Sequence, residues 1–171
     1  MNTLAKPQKG EYADFYETYI SKLGNENYVS LLNEQIEELK ALFKSKPEGW
    51  ENQGYGVGKW SPKEVLGHII DTERIMTFRA LCFARGDQNP LPGFDQNPYV
   101  ENGKFGQVSL DDLLEDFEFQ RKAILSFVKT LSAEVLENRG IASGNPISVR
   151  ALLWIIPGHF IHHMNLFKER Y

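Results

Sequence analysis

Several things are scarce in this chain. Cysteine occurs once, at Cys82, so no internal disulfide framework can form and a reducing compartment is expected. Long apolar runs are missing: the longest, Ala151 to Ile156, falls far short of the roughly twenty residues a membrane helix needs. The first residues, Met1-Asn2-Thr3-Leu4-Ala5-Lys6-Pro7, lack the apolar stretch of a signal peptide, and the expected address is the cytoplasm. There is no basic excess either. Lys and Arg total 19 against 23 Asp and Glu, a formal net charge of -4. That balance argues against a general nucleic-acid binder, which must neutralise phosphates. No repeat or low-complexity tract is visible. A 42% hydrophobic and 25% charged composition over 171 residues describes a folded chain with one proper core. The expectation is one domain over residues 1–171, with 1–26 as a lead-in segment.

What is present reads as helix. Residues 27–45 carry Leu31, Leu32, Ile36, Leu39, Leu42 and Phe43 at spacings of three and four, and Lys46-Pro47-Glu48-Gly49 ends that run. Trp60-Ser61-Pro62-Lys63-Glu64-Val65 opens a second helix, expected over 62–85. Ser61 is its cap, Pro62 its first helical residue and Glu64 the far side of a capping box, with Trp60 and Val65 as a hydrophobic staple. Ser109 and Asp112 form a second capping pair ahead of a helix over 109–130, and a short helical piece is expected at 133–138. The last helix spans 147–170, with a kink expected at Pro157. No convincing strand alternation is found. Residues 86–107, punctuated by Pro90, Pro92, Pro98, Gly93, Gly103 and Gly106, read as one long irregular connection. These elements add up to an all-α four-helix bundle.

The chemical signal lies in the histidines. There are four, and three fall in Gly158-His159-Phe160-Ile161-His162-His163. Residues four apart on a helix stack on one face, roughly 5 to 6 Å apart at Cβ. His159 and His163 therefore point at one spot, in the same direction as Leu152, Ile155, Ile156 and Leu166, where the interior should be. Burying two imidazoles without partners is costly. A metal relieves that cost and asks for a third ligand. The alternative is a pair of core histidines with hydrogen-bond partners, because the pair lacks the Glu that makes a zinc-protease motif specific. His68 lies on the flank of the Val65, Ile69, Met76, Phe83 stripe and can reach sideways to a neighbouring helix. Asp71, nearly one turn on, is a candidate outer partner or acid/base group. His162 points away and is read as structural. Cys82 is read as core packing, and the acidic run Asp111, Asp112, Glu115, Asp116, Glu118 as a solvated face.

The stretch from Lys59 to Arg74, Lys-Trp-Ser-Pro-Lys-Glu-Val-Leu-Gly-His-Ile-Ile-Asp-Thr-Glu-Arg, resembles the first signature of the DinB-like superfamily in its YfiT-like branch. Arg79-Ala80-Leu81, Phe83 to Asp87, Leu91 to Gln96, Ser148 to Leu152, Gly158 to His163 and the closing Lys168-Glu169-Arg170-Tyr171 continue the pattern in order. The resemblance covers about residues 28 to 171. It implies an up-down-down-up bundle and a divalent metal held by His68, His159 and His163. The His159 and His163 pair is the one the spacing had already singled out. Members of this family include thiol S-transferases using low-molecular-weight thiols and metal-dependent hydrolases, many without a known substrate.

A three-histidine site leaves a coordination position open for chemistry. Zn²⁺ and Ni²⁺ both suit imidazole, and their order of affinity does not choose between them. The expected function is a metal-dependent enzyme, a hydrolase or a low-molecular-weight-thiol S-transferase acting on a small molecule. The alternative is a metal-binding or metal-stabilised protein without turnover. Neither nucleic acid nor membrane is an expected partner, and a homodimer is left open. In the long connection, Phe94 and Tyr99 are the residues offered to a substrate if the loop covers the site. For Phe94, an anchoring role is the preferred reading.

Overall fold

A computed structural model describes residues 4–171, so the first three residues of the expected lead-in lie outside it. Six helices and one hairpin are found among the described residues: α1 (Glu17–Ile20), α2 (Tyr28–Ser45), α3 (Pro62–Ala84), α4 (Gln96–Gly103), α5 (Leu110–Val128), β1 (Arg139–Ala142), β2 (Asn145–Ser148) and α6 (Val149–Arg170). The four long helices form an up-down-down-up bundle. α2 and α6 run parallel, since Tyr28 meets Leu153, Gln35 meets Pro157 and Glu38 meets Lys168. α6 runs against α3: the Tyr171 hydroxyl bonds the Trp60 carbonyl at one end, and Asn138, just ahead of the hairpin, reaches the Phe83 carbonyl at the other. Between α3 and α5 the chain returns to where α3 began, because Phe105 packs against Gly67 so closely that any Cβ there would overlap its ring. α3 and α5 therefore set off in the same direction.

Caps account for the helix starts. Ser61 accepts from the Glu64 amide at 3.3 Å while Glu64 accepts from the Ser61 amide at 2.7 Å, a reciprocal box. At α5 only half of that arrangement forms. Ser109 accepts from the Asp112 amide, but the shorter Asp112 side chain makes no return bond. Asn27 and Ser148 cap α2 and α6.

Pro157 stands inside an uninterrupted α6. Proline lacks the amide that would bond the carbonyl four residues back. That carbonyl, on Leu153, instead accepts from the buried Tyr28 hydroxyl at 3.1 Å. The helix continues because a neighbour replaces the missing donor.

Two elements differ from expectation. Residues 86–107 are not wholly irregular: Asp95 caps the eight-residue α4, and Pro98 falls in its first turn, where a missing amide costs nothing. Residues 139–148 form the antiparallel hairpin, turned by Ser143 at φ 52° and Gly144 at φ 77°. Two successive left-handed residues make the tight hairpin turn that follows the natural strand twist. The strands are four residues long, too short for their alternation to register in the sequence.

The core is divided. One apolar cluster holds Leu32, Met76, Ile124 and Ile156; the other holds Ile36, Ile70, Phe117 and Phe160. Between them lies a polar layer that touches all four long helices. Arg121, with 0% of its surface exposed, donates through Nε and Nη2 to Glu73 Oε1 at 3.0 and 2.6 Å. Its Nη1 donates to Gln35 Oε1 at 2.7 Å, and Gln35 Nε2 donates to the Pro157 carbonyl at 3.2 Å. The guanidinium also lies against the rings of Phe117 and Phe160. Burial pushes the Glu73 carboxyl up to about 7 although Arg121 pulls it down.

Removing one partner of such a pair strands the other charge in the interior. Arg121→Leu should lower the unfolding free energy in urea by about 3 to 5 kcal/mol. Adding Glu73→Leu should recover a large part of that loss. A double variant no more stable than Arg121→Leu would show that the layer is held together by something other than this pair.

Candidate metal centre

The site is built where α3 and α6 face each other. His68 follows Gly67 in the second turn of α3, while His159 and His163 lie one turn apart on α6 just beyond Pro157. All three are buried. The Nε2 atoms of His68 and His159 are 3.1 Å apart, those of His159 and His163 are 3.0 Å apart, and the three candidate ligand atoms lie within 4.8 Å of one another. Tetrahedral ligands at a zinc-nitrogen distance of about 2.0 to 2.1 Å would stand roughly 3.3 Å apart. The two pairs that include His159 need to open by only a few tenths of an ångström to reach that spacing.

Proton arithmetic supports the same fit. A neutral imidazole has one N–H, so His159 Nε2 can serve both neighbours only as an acceptor. Its proton then sits on Nδ1, which is buried without a partner, as is Nδ1 of His163. Hydrogen bonding among the rings alone thus leaves interior nitrogens unsatisfied. A cation would take the three Nε2 lone pairs one per ring, where hydrogen bonding asks the single Nε2 lone pair of His159 to serve two donors; the Nδ1 atoms of His159 and His163 have no partner in either arrangement. Burial keeps the rings neutral, the form a metal requires. Desolvation, with a smaller contribution from His162, takes His68 down to about 4. Desolvation takes His163 down to about 3, with His68 and His162 adding to it, and holds His159 well below its ordinary value.

Two clefts flank the cluster. One, of about 280 Å³, includes His68 and His159 in its wall, together with Tyr16, Tyr19, Thr72, Arg79 and Phe94. The other, of about 250 Å³, reaches His163 past Trp60, Asn97 and Tyr171. α4 spans both, with Gln96 in the first wall and Asn97 in the second. No Asp or Glu lines either cleft among the described residues.

Of the residues read from the sequence, the three histidines meet. Phe94 lines the first cleft. Tyr99 is 47% exposed and meets the Phe94 ring edge-on at 5.4 Å rather than lining that cleft. Asp71 lies 3.6 Å from Arg74, which reaches on to Asp116 of α5 at 2.5 Å, and it lines neither cleft. The residue that approaches His68 is Thr72, its hydroxyl 3.5 Å from Nδ1, because four residues rather than three bring a side chain over that ring. His162 is half-buried against the Tyr19 ring, and Cys82 is partly buried against the core.

The N-terminal segment was missed as a contributor. α1 crosses α6 at Gly158, where a Cβ would stand 2.5 Å from the Tyr19 carbonyl oxygen. This approach puts the Tyr19 ring edge-on to His159 and brings Phe15 and Tyr16 to the cleft. A glycine just before the first histidine was the one available signal.

The family profile of the DinB superfamily matches residues 31–167. The chain belongs to the DinB superfamily. No curated protein is similar in sequence. Among solved structures, YfiT from Bacillus subtilis has the same fold, with a TM-score of 0.77 at 14% identity over 96% of this chain and 90% of its own. That protein is described as a probable metal-dependent hydrolase with an unusual four-helix bundle topology. The up-down-down-up order expected from the resemblance is the order found here. No helix of the described residues is long and apolar enough to cross a membrane.

The buried neutral rings give the metal-free protein a defined response to acid. Below an unfolded-state pKa near 6.5 the unfolded chain takes up protons that folded His68 and His163 refuse until about 4 and about 3. Stability is therefore unaffected by these rings above 6.5 and falls as pH drops through that window, by up to about 1.4 kcal/mol per pH unit for each ring. Urea unfolding at a series of pH values should show this slope, reduced in His163→Asn. An equal slope in that variant would show that His163 is not held neutral.

Proposed function

We propose that His68, His159 and His163 hold one divalent ion, Zn²⁺ or Ni²⁺, and that the protein is a metal-dependent hydrolase of a small molecule. The observation that carries this reading is the meeting of three buried Nε2 atoms beside two clefts, with no fourth His, Cys, Asp or Glu ligand among the described residues to close the site. A closed fourth position would mark a structural site; an open one leaves room for a reactant. The description of YfiT as a probable metal-dependent hydrolase supports the same reading. When bound, the ion would supply Lewis-acid chemistry, acidifying a water for hydrolysis or a thiol for transfer.

The chain's own groups do the rest. Thr72 approaches His68 Nδ1, and the Arg121 layer fixes the Pro157 carbonyl just before His159. Burial raises the Tyr19 phenol above its ordinary value, so it is a neutral wall rather than a base. A lone Cys82, whose thiol burial and Asp87 push up, offers no competing nucleophile.

A second reading, thiol S-transfer, has its own support in the clefts. Two openings on one centre can admit two reactants. Among the described residues no carboxylate lines the clefts as a general base, and a thiol begins near 8.5, needing a far smaller pKa shift than water. We place the protein in the cytoplasm, where such a thiol would be reduced.

Purified protein should carry one divalent ion per chain, and His163→Ala should lose it. Stoichiometric metal retained in that variant, by elemental analysis, would remove His163 from the ligand set. Ester and amide hydrolysis and thiol transfer to electrophiles, screened with and without metal, separate the two reactions. Full metal with no metal-dependent rate on any of them would favour a stabilising ion without turnover.

A further inference from the structure

The cleft that begins at His68 and His159 continues along α3. His68, Thr72, Met76 and Arg79 all line it. Eleven residues separate His68 from Arg79, about three turns plus roughly 20°, so both stand on one face of the helix. Arg79 is 2% exposed. Its Nη2 donates to the Pro92 carbonyl at 2.7 Å and to Ser143 Oγ at 3.1 Å. Its Nη1 reaches the Met76 sulfur at 4.0 Å, and the guanidinium lies close enough to the Tyr16 phenol to pull against the effect of that phenol's burial.

What Arg79 lacks is a counter-charge. The other arginines drawn into the interior have one: Arg121 is paired with Glu73 and Arg150 with Glu11. Among the described residues, no carboxylate lies within ion-pair distance of Arg79 and none lines its cleft. The Tyr16 phenol in the same wall is raised by burial and stays neutral. The Phe94 ring centre is 6.0 Å from the guanidinium. Clamping the loop at Pro92 to the hairpin at Ser143 would need only a neutral donor. Keeping a permanent cation buried with no anion is unfavourable unless an anion arrives.

We propose that Arg79 is the anion-recognition residue of this cleft, and that the substrate is an elongated small molecule with a terminal carboxylate or phosphoryl group at the end away from the histidines. This rests on the reading of the histidine cluster as the reacting centre. The Cα atoms of His68 and Arg79 are about 16 Å apart along the helix axis. Arginine leans back towards the helix start, in keeping with its contact to Met76. The span left for the ligand is on the order of 10 Å. Met76, Ile155, Phe15 and Phe94 line the stretch between, which suits an uncharged middle.

The test uses the full chain loaded with Co²⁺, titrated with ω-mercaptoalkanoates of graded length, the matching mercaptoalkylphosphonates, and mercaptoalcohols of the same lengths. The sulfur-to-cobalt absorption reports binding. At the length that fits, one of the acids should bind about tenfold or more tightly than the alcohol, as a charge-assisted hydrogen bond warrants. Which acid wins identifies the oxyanion. Arg79→Gln should abolish the difference while leaving the alcohol's affinity in place, and Arg79→Lys should keep part of it. Metal-free protein provides a separate arm: octanoate should raise its Tm more than octanol does, and Arg79→Gln should erase that excess. A chain that takes up no cobalt sinks the metal reading, yet this arm still reports on Arg79. Wild-type protein that prefers no acid to its alcohol in either form overturns the proposal, whether or not the variants fold.

Discussion

Arg121 is a permanent cation with no exposed surface, and the bundle is arranged around satisfying it. Three of its nitrogens donate to α3 and α2, and through Gln35 the same network holds a carbonyl on α6. The apolar core splits into two clusters at this level. Hydrophobic packing tolerates sliding of one helix along another, since an apolar contact has little direction. A buried ion pair with fixed hydrogen bonds does not, because any shift in register strands a charge. The layer thus fixes the heights of the four helices relative to one another.

That register matters because the histidine cluster draws on two helices that meet side by side. His68 comes from α3 and the other two rings from α6, so a small axial slip would separate their nitrogens. Two contacts next to the cluster hold α6 in place. Tyr28 replaces the amide that Pro157 lacks, and Gln35 takes the Pro157 carbonyl. Gly158 then lets α1 approach closely enough to wall the cleft with aromatic rings. Proline and glycine inside a helix would ordinarily weaken it. Here each answers to a neighbour, directly before His159.

Charge within the interior follows a consistent pattern. Glu73 faces Arg121 and Glu11 faces Arg150, while the clefts beside the histidines have no acid in their walls. Although the chain's net charge is -4, no carboxylate among the described residues lines the clefts beside the three histidines. A divalent ion on three neutral rings would keep its full charge, favouring anionic reactants there. Arg79 extends the same polarity along the cleft wall.

The fold and the three candidate ligands could be read from the chain. Long helices repeat their apolar positions every three or four residues, and a Ser-Pro-x-Glu start is a local event that needs no distant partner. Histidines four apart share a face in any helix, and the family resemblance supplied His68. Other features had no local signature. The hairpin is too short to show alternation, and α4 hid behind a proline that its first turn tolerates. Asp71 and Thr72, three and four residues beyond His68, are both within reach of it on a helix, and it is Thr72 that approaches the ring while Asp71 pairs with Arg74 towards α5. Glu73, Arg121 and Gln35 looked like ordinary charged and polar surface residues, as did Arg79. Whether such a side chain is solvated or buried depends on which helix lies opposite, a relation between residues tens of positions apart. Sequence by itself determined the four long helices, the Ser61 and Ser109 caps and the paired imidazoles, because these follow from contacts within a few turns of one helix. The tertiary structure alone decided the buried ion pair, the aromatic wall and the unpaired cation of the cleft, because each exists only where separate elements meet.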